Sequence, residues 1–342
     1  MNIQSLVRKN IVNMKPYSSA RDEFKGEAEI FLDANENPYP SPYNRYPDPL
    51  QWKVKEKLAE LKGVKPQQIF LGNGSDEAID LLIRAFCEPN VDSILITPPT
   101  YGMYAVCADV NAVAIEQVLL TPAFDIDLNA FPKTFKTTTK ILFLCSPNNP
   151  SGNLLSRDKV VEVLNRFPGL VVVDEAYIDF ASSKSFTFEL SKYPNLVILQ
   201  TFSKAWGLAG LRLGMCFASE EIIQIINKIK YPYNVNVFTQ EQALTALLQV
   251  DKKNENVKEI ITERNTIANS LAKLSIVKKI YPSDANFLLV QVNDAPGTYE
   301  YLMQKGIIVR DRSKVTLCDH CIRITIGTPK ENQDLLNALK KL

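Results

Sequence analysis

The chain holds 342 residues, 46% of them apolar and 23% charged, with a formal net charge of +1. This is the make-up of a folded globular protein long enough for two cores, and it lacks the basic field that nucleic-acid and membrane-surface binders carry. No apolar h-region opens the sequence and nowhere do eighteen apolar residues run together, so a cytoplasmic chain without a membrane span is expected.

In chain order, the stretch "NENPYPSPYNRYPDP" (35–49) comes first. Its Pro and Asn content argues against regular structure, and an irregular segment of that length is commonly functional or interfacial. Apolar runs then alternate with amphipathic stretches. Strands are expected at 68–72, 93–97, 112–118, 140–146, 170–175, 196–201 and 212–218, and helices at 49–62 (ending at Gly63), 75–87, 101–109, 156–167 and 219–230. That alternation predicts an α/β architecture, a mostly parallel seven-stranded sheet between helices. Beyond about residue 240 the pattern changes. A long amphipathic stretch, 239–274 with a break near "VDKKNEN", precedes strands at 286–292, 307–311 and 321–327 and a last helix at 330–341. The expected division is a large domain over 31–240 and a smaller α+β domain made of 241–342 with the N-terminal segment 1–30.

The six cysteines, at 87, 107, 145, 216, 318 and 321, mostly fall inside apolar runs and read as packed, reduced thiols. "CDHC" brings Cys318, His320 and Cys321 together, but a structural zinc site needs a fourth ligand and no second CxxC exists; no metal is expected. His320 is the only histidine, which removes any triad based on histidine elsewhere in the chain.

Ligands of open parallel sheets bind beyond the carboxyl ends of the strands, so the residues where each apolar run stops carry the argument. "ILFLC" is followed by "SPNNPSG" with Asn149, and "LVVV" by "DEAY" with Asp174 and Tyr177. "LVILQ" leads to Ser203 and Lys204, "IFL" to "GNGSDE" with Ser75 and Asp76, and "ILIT" to "PPTYGMY" with Tyr101. Each has an ordinary structural use: Ser203 as a helix cap, Asp76 as a complement to a helix dipole, Lys204 as a solvated residue. Together they describe one crevice, with Arg212 beside it in an otherwise apolar segment.

Pyridoxal phosphate needs this set. Lysine is suited to a Schiff base with its aldehyde, a carboxylate keeps the ring nitrogen protonated, and a helix N-terminus with hydroxyl and guanidinium groups holds its phosphate. Lys204 is then the Schiff-base lysine and Asp174 the partner of the ring nitrogen. Asn149 and Tyr177 hold the 3-oxygen and Tyr101 covers the ring. The backbone N–H groups of Ser75 and Asp76, the Ser203 hydroxyl and Arg212 take the phosphate.

"SPNNPSG", "DEAY" and "SKAWGLAGLRLG", in that order, resemble the motifs of fold-type I, class II aminotransferases. "LDANENP", "NRYPDP", "GNGSDE", "IRAFCEP", "PPTYGMY", "GIIVRD" and "IRITIGT" narrow the resemblance to the histidinol-phosphate aminotransferase family, over nearly the whole chain. The resemblance implies a homodimer with active sites at the subunit interface. It also implies amino exchange between glutamate and imidazole-acetol phosphate, giving histidinol phosphate and 2-oxoglutarate in histidine biosynthesis. Tyr46, in "NRYPDP", would reach the cofactor phosphate of the neighbouring subunit. Arg310 and Arg323 would bind the anionic end of the substrate, and Tyr17, in "KPYSSA", would lie near it. "CDHC" departs from the pattern and is tied to no function.

The cofactor residues do not separate this reading from a threonine-phosphate decarboxylase or an aromatic-amino-acid aminotransferase of the same fold. A cofactor-sensing transcription regulator would need a DNA-binding domain, and the chain has neither the length nor a basic helix for one.

Overall fold

A computed structural model describes residues 2–17 and 30–342. Seven strands form the larger sheet: β1 (Ile69–Asn73), β2 (Ser93–Ile96), β3 (Ala114–Gln117), β4 (Thr139–Cys145), β5 (Leu170–Asp174), β6 (Leu196–Thr201) and β7 (Leu213–Phe217), in the order β1-β7-β6-β5-β4-β2-β3. β5 and β6 are buried at every position, which is why they read as unbroken runs of Val, Leu and Ile. Their side chains still alternate between two cores. Val171 and Val173 join Leu142, Leu144 and Ile198 on one face, whereas Leu170 and Val172 join Ile141, Phe143 and Leu199 on the other.

Helices cover both faces. α1 (Lys9–Asn13), α3 (Gly74–Phe86), α4 (Met103–Val110) and α6 (Glu220–Ile229) share the core of Phe143; α2 (Trp52–Lys62), α5 (Arg157–Arg166) and α7 (Val237–Leu247) share that of Leu144. α2 ends at Gly63, whose φ of +67° closes the helix in the left-handed conformation.

One strand departs from the parallel set. β7 pairs antiparallel with both β1 and β6, with Gly214 opposite Gly72 and Thr201. Its first residues therefore lie at the edge where the parallel strands end.

The second sheet is wholly antiparallel, ordered β10-β11-β9-β8 from β8 (Val277–Ile280), β9 (Phe287–Val292), β10 (Arg310–Asp311) and β11 (Cys321–Thr325). Leu288, Val290, Ile322 and Ile324 pack under α8 (Val250–Leu271), α9 (Ala295–Gln304) and α10 (Pro329–Leu339). The opposite face turns toward the large sheet: Phe287 packs with Tyr177, Phe180 and Ala205, and Leu289 and Cys321 join the core of Leu144.

Several expectations shift. The break in the long helical stretch falls at 248–249, and "VDKKNEN" opens α8 rather than interrupting it. The expected strand 307–311 shrinks to Arg310–Asp311, because Ile307 and Val309 pack into the core as a loop after Gly306. The N-terminal segment was expected with the smaller domain. Its described residues instead lie on the large sheet, where Ile3, Val7 and Ile11 enter the core of Phe86 and Ile222, and Arg8 pairs with Glu88 at 3.1 Å. Residues 18–29 of that segment lie outside the described residues. Ala243 and Leu247 pack with Val54 and Leu58, so the large core continues past residue 240. All six cysteines are buried and free, and His320 is exposed. No helix among the described residues is long and apolar enough to cross a membrane.

Candidate active site

A cavity opens at the carboxyl edge of the large sheet. Its walls are Gly74, Ser75 and Asp76 after β1, Tyr101 after β2, Cys145 and Asn149 after β4, Asp174, Ala176 and Tyr177 after β5, Thr201, Ser203 and Lys204 after β6, and Ala209 and Arg212 before β7. Nine of the expected residues thus meet: Ser75, Asp76, Tyr101, Asn149, Asp174, Tyr177, Ser203, Lys204 and Arg212.

The anion cradle depends on a close backbone approach. A Cβ on Gly214 would lie 2.1 Å from the Gly74 carbonyl carbon and from the Ser75 nitrogen, so only glycine lets β7 pass under the start of α3. The Gly74 N–H donates to the Arg212 carbonyl at 2.7 Å, which ties the helix start to the arginine. Arg212 itself adopts φ +53°, unusual for a residue with a side chain. Its only ion pair among the described residues is a long one, 3.8 Å to Asp76 Oδ2, and its side chain is 53% exposed. A guanidinium, the free N–H groups of a helix start and the Ser203 hydroxyl together fit a phosphate.

Asp174 ends β5 at 2% exposure. Burial lifts its pKa to about 6, against the opposing hydrogen bonds from the Tyr104 hydroxyl (2.7 Å, to Oδ2) and the Ala176 N–H (3.0 Å, to Oδ1). A buried carboxylate so placed fits a cationic ring nitrogen. Lys204 follows β6 with its Nζ 5.5 Å from the centre of the Tyr177 ring. The residue as a whole is exposed, but its amine is partly desolvated at the cavity mouth. That desolvation and the Arg323 charge hold its pKa below the usual lysine value, with Asp174 and Asp76 pulling the other way. Burial raises the Tyr177 hydroxyl, and burial with the Asp76 carboxylate raises that of Tyr101, which donates to Asp76 Oδ1 at 3.1 Å; both hydroxyls stay protonated donors.

The second sheet enters the site through Arg323. Its Nη1 donates to Asn149 Oδ1, leaving the amide nitrogen of Asn149 uncommitted among the described residues, and its guanidinium lies 5.3 Å from the Phe287 ring centre. Arg310 stands opposite Arg323 in the ladder and is exposed. Tyr46 and Tyr17 do not join the cavity. Tyr46 stacks on Tyr233 at 4.4 Å and lines a separate groove with Asn35, Glu36 and Phe238, whereas Tyr17 lines another with Tyr231 and Lys228.

Two participants were missed by sequence reasoning. Tyr104 is fully buried, stacks on Phe143 at 4.6 Å and bonds Asp174; it stands three residues after Tyr101 in "PPTYGMY", and only the helix of α4 explains its inward aim. Thr201 ends β6 and accepts the Ser203 N–H at 3.0 Å. Arg312, two residues beyond Arg310, lines a separate groove with it, walled also by Tyr299 and Lys314.

A sheet that gathers a lysine, a buried carboxylate and an anion cradle at one edge fits the pyridoxal-phosphate-dependent enzymes of fold type I. A family model described as aminotransferase class I and II matches residues 29–339, and the chain belongs to that family. It is 58% identical to a histidinol-phosphate aminotransferase of Parabacteroides distasonis, over 100% of this chain and 99% of the relative. Among solved structures, the histidinol-phosphate aminotransferase of Clostridium acetobutylicum superimposes with a TM-score of 0.80 at 27% identity, covering 87% of this chain and 90% of that one. The Sinorhizobium meliloti enzyme of the same name, in complex with pyridoxal-5'-phosphate, gives 0.79 at 25% identity, covering 87% and 82%.

Proposed function

We propose that this protein exchanges an amino group between L-glutamate and imidazole-acetol phosphate, giving L-histidinol phosphate and 2-oxoglutarate in histidine biosynthesis. It does so as a cytoplasmic homodimer with pyridoxal phosphate bound through Lys204. Full-length relatives at 58% identity carry that activity in their names, which favours it over the decarboxylase and aromatic-substrate readings. The observation that carries it is the Arg323–Asn149 hydrogen bond, which joins a guanidinium group able to take an anionic substrate end to the cavity of Lys204 and Asp174.

The cofactor, when bound, supplies a cationic, electron-withdrawing ring that makes the substrate Cα–H acidic. Asp174 would hold the ring nitrogen protonated, Asn149 and Tyr177 would hold the 3-oxygen, and Tyr101 would cover the ring. Ser75 and Asp76 N–H groups, Ser203 and Arg212 take the phosphate. Lys204, whose amine burial and the Arg323 charge hold below the usual lysine pKa, is placed to take the proton from the substrate Cα. Arg310 and Arg323 accept either a carboxylate or a phosphate, since a guanidinium pairs bidentately with both.

Tyr46 serves the cavity of a second copy. Its position outside its own cavity supports this, as do the exposed aromatics Tyr39, Tyr43, Tyr231 and Phe238, which a dimer would cover. Tyr17 would lie near the substrate. Purified protein given histidinol phosphate and 2-oxoglutarate is expected to form glutamate, with far slower transfer from phenylalanine and no release of carbon dioxide from threonine phosphate. A preference for phenylalanine, or decarboxylation, would overturn the assignment.

A further inference from the structure

The small sheet carries three guanidinium groups on one face: Arg323 reaches the site through Asn149, and Arg310 and Arg312 line a separate groove with Tyr299 and Lys314. β10 pairs Arg310 with Arg323 and Asp311 with Ile322, and the ladder continues where the Arg312 N–H donates to the Cys321 carbonyl at 2.8 Å. Directly opposed residues share a face and alternate residues repeat it, so Arg310, Arg312 and Arg323 all belong to the face that Cys321 and Leu289 turn toward the large sheet. None of the three has an ion pair among the described residues. The Nε of Arg312 is buried with no hydrogen-bond partner, and burial and the neighbouring Arg323 and Arg310 charges hold its pKa down. Tyr177, a wall of the cavity, feels the charge of Arg312 as well as that of Arg323.

A half-buried guanidinium whose Nε is enclosed without an acceptor, beside two like charges, destabilises the fold unless an anion meets it. The two proposed substrates differ in the anion they bring. A carboxylate carries one charge and is satisfied bidentately by one guanidinium; a phosphate monoester carries up to two charges and three acceptor oxygens. We infer that Arg312 is a specificity-determining residue for the phosphate end of the substrate, supplying the charge and donor that glutamate does not require. This inference rests on the reading of the cavity as the transamination site.

The test follows the two half-reactions separately in the holoenzyme, through the absorbance of the bound cofactor, for wild type, Arg312→Gln and Arg312→Lys. Losing a hydrogen bond between charged groups corresponds to about a tenfold or larger rise in the histidinol phosphate concentration giving half the maximal rate, against less than about threefold for glutamate. Arg312→Lys should recover part of the loss. Inorganic phosphate is expected to inhibit the wild-type glutamate half-reaction, and Arg312→Gln to weaken that inhibition. Equal losses for both substrates would mark Arg312 as merely structural, and no change in either would overturn its role. If wild type fails to react with histidinol phosphate at all, the proposed function falls. The phosphate arm then still decides Arg312: weakened inhibition supports its role, and unchanged inhibition overturns it.

Discussion

Replacing Asp174 with asparagine should stabilise the protein stripped of its cofactor while weakening its hold on that cofactor. Asp174 is 2% exposed, and burial raises its pKa from 3.8 to about 6. Between those values the folded state binds the proton and the unfolded state has lost it. The penalty is therefore absent at lower pH, grows through this interval and is complete above the folded value. A rise of about 2 units corresponds to about 3 kcal/mol of folding free energy lost at pH 8, and to roughly half that at pH 5. Asparagine avoids the penalty but forfeits the charge-assisted part of the Tyr104 hydrogen bond, worth about 1 kcal/mol. The cofactor-free variant should thus be more stable than cofactor-free wild type by about 1–2 kcal/mol at pH 8, a gain that shrinks toward pH 5. With cofactor present the order reverses, because the ring nitrogen has lost its counter-charge. Thermal unfolding of both proteins with and without cofactor, at pH 5 and 8, reads both effects. A stripped variant less stable than wild type at pH 8, or one that retains cofactor equally on dialysis, would refute the reasoning.

Lys204→Ala should abolish turnover while the thermal midpoint of the cofactor-free protein stays within a few degrees of wild type; transamination at the wild-type rate would remove Lys204 from the mechanism. Gly214→Ala forces a Cβ to within 2.1 Å of the Gly74–Ser75 backbone. It should cost about 3 kcal/mol in chemical denaturation and loosen cofactor binding. Tyr104→Phe keeps the stack on Phe143 but removes the side-chain donor to Asp174. The carboxyl pKa of the cofactor-free protein then rises further, so the pH dependence of its thermal unfolding should shift upward relative to wild type.

The central strands were readable because a parallel sheet buried on both faces leaves runs such as "LVVVD" with no polar interruption. Asp174, Lys204 and Asn149 were readable because polar groups at the ends of such runs stand out. The antiparallel course of β7 was not: "RLGMCFA" has the same composition whichever way the strand runs, and only its pairing with β1 and β6 shows its direction. β8 escaped because "VKKI" is a half-exposed edge strand whose lysines mask the pattern. The four-residue spacing of Ile3, Val7 and Ile11 was visible, but the surface that receives it was not. For Arg312 the two-residue offset from Arg310 lay in plain view, yet its meaning needed the pairing of β10 with β11.

Reducing the purified protein with borohydride fixes any imine as a stable amine. Digestion and mass spectrometry then locate the cofactor's mass on the chain. It should sit on the peptide containing Ser203 and Lys204 and nowhere else. Finding Lys204 unmodified, or the cofactor on Lys55, the buried lysine whose pKa falls to about 7, would contradict it.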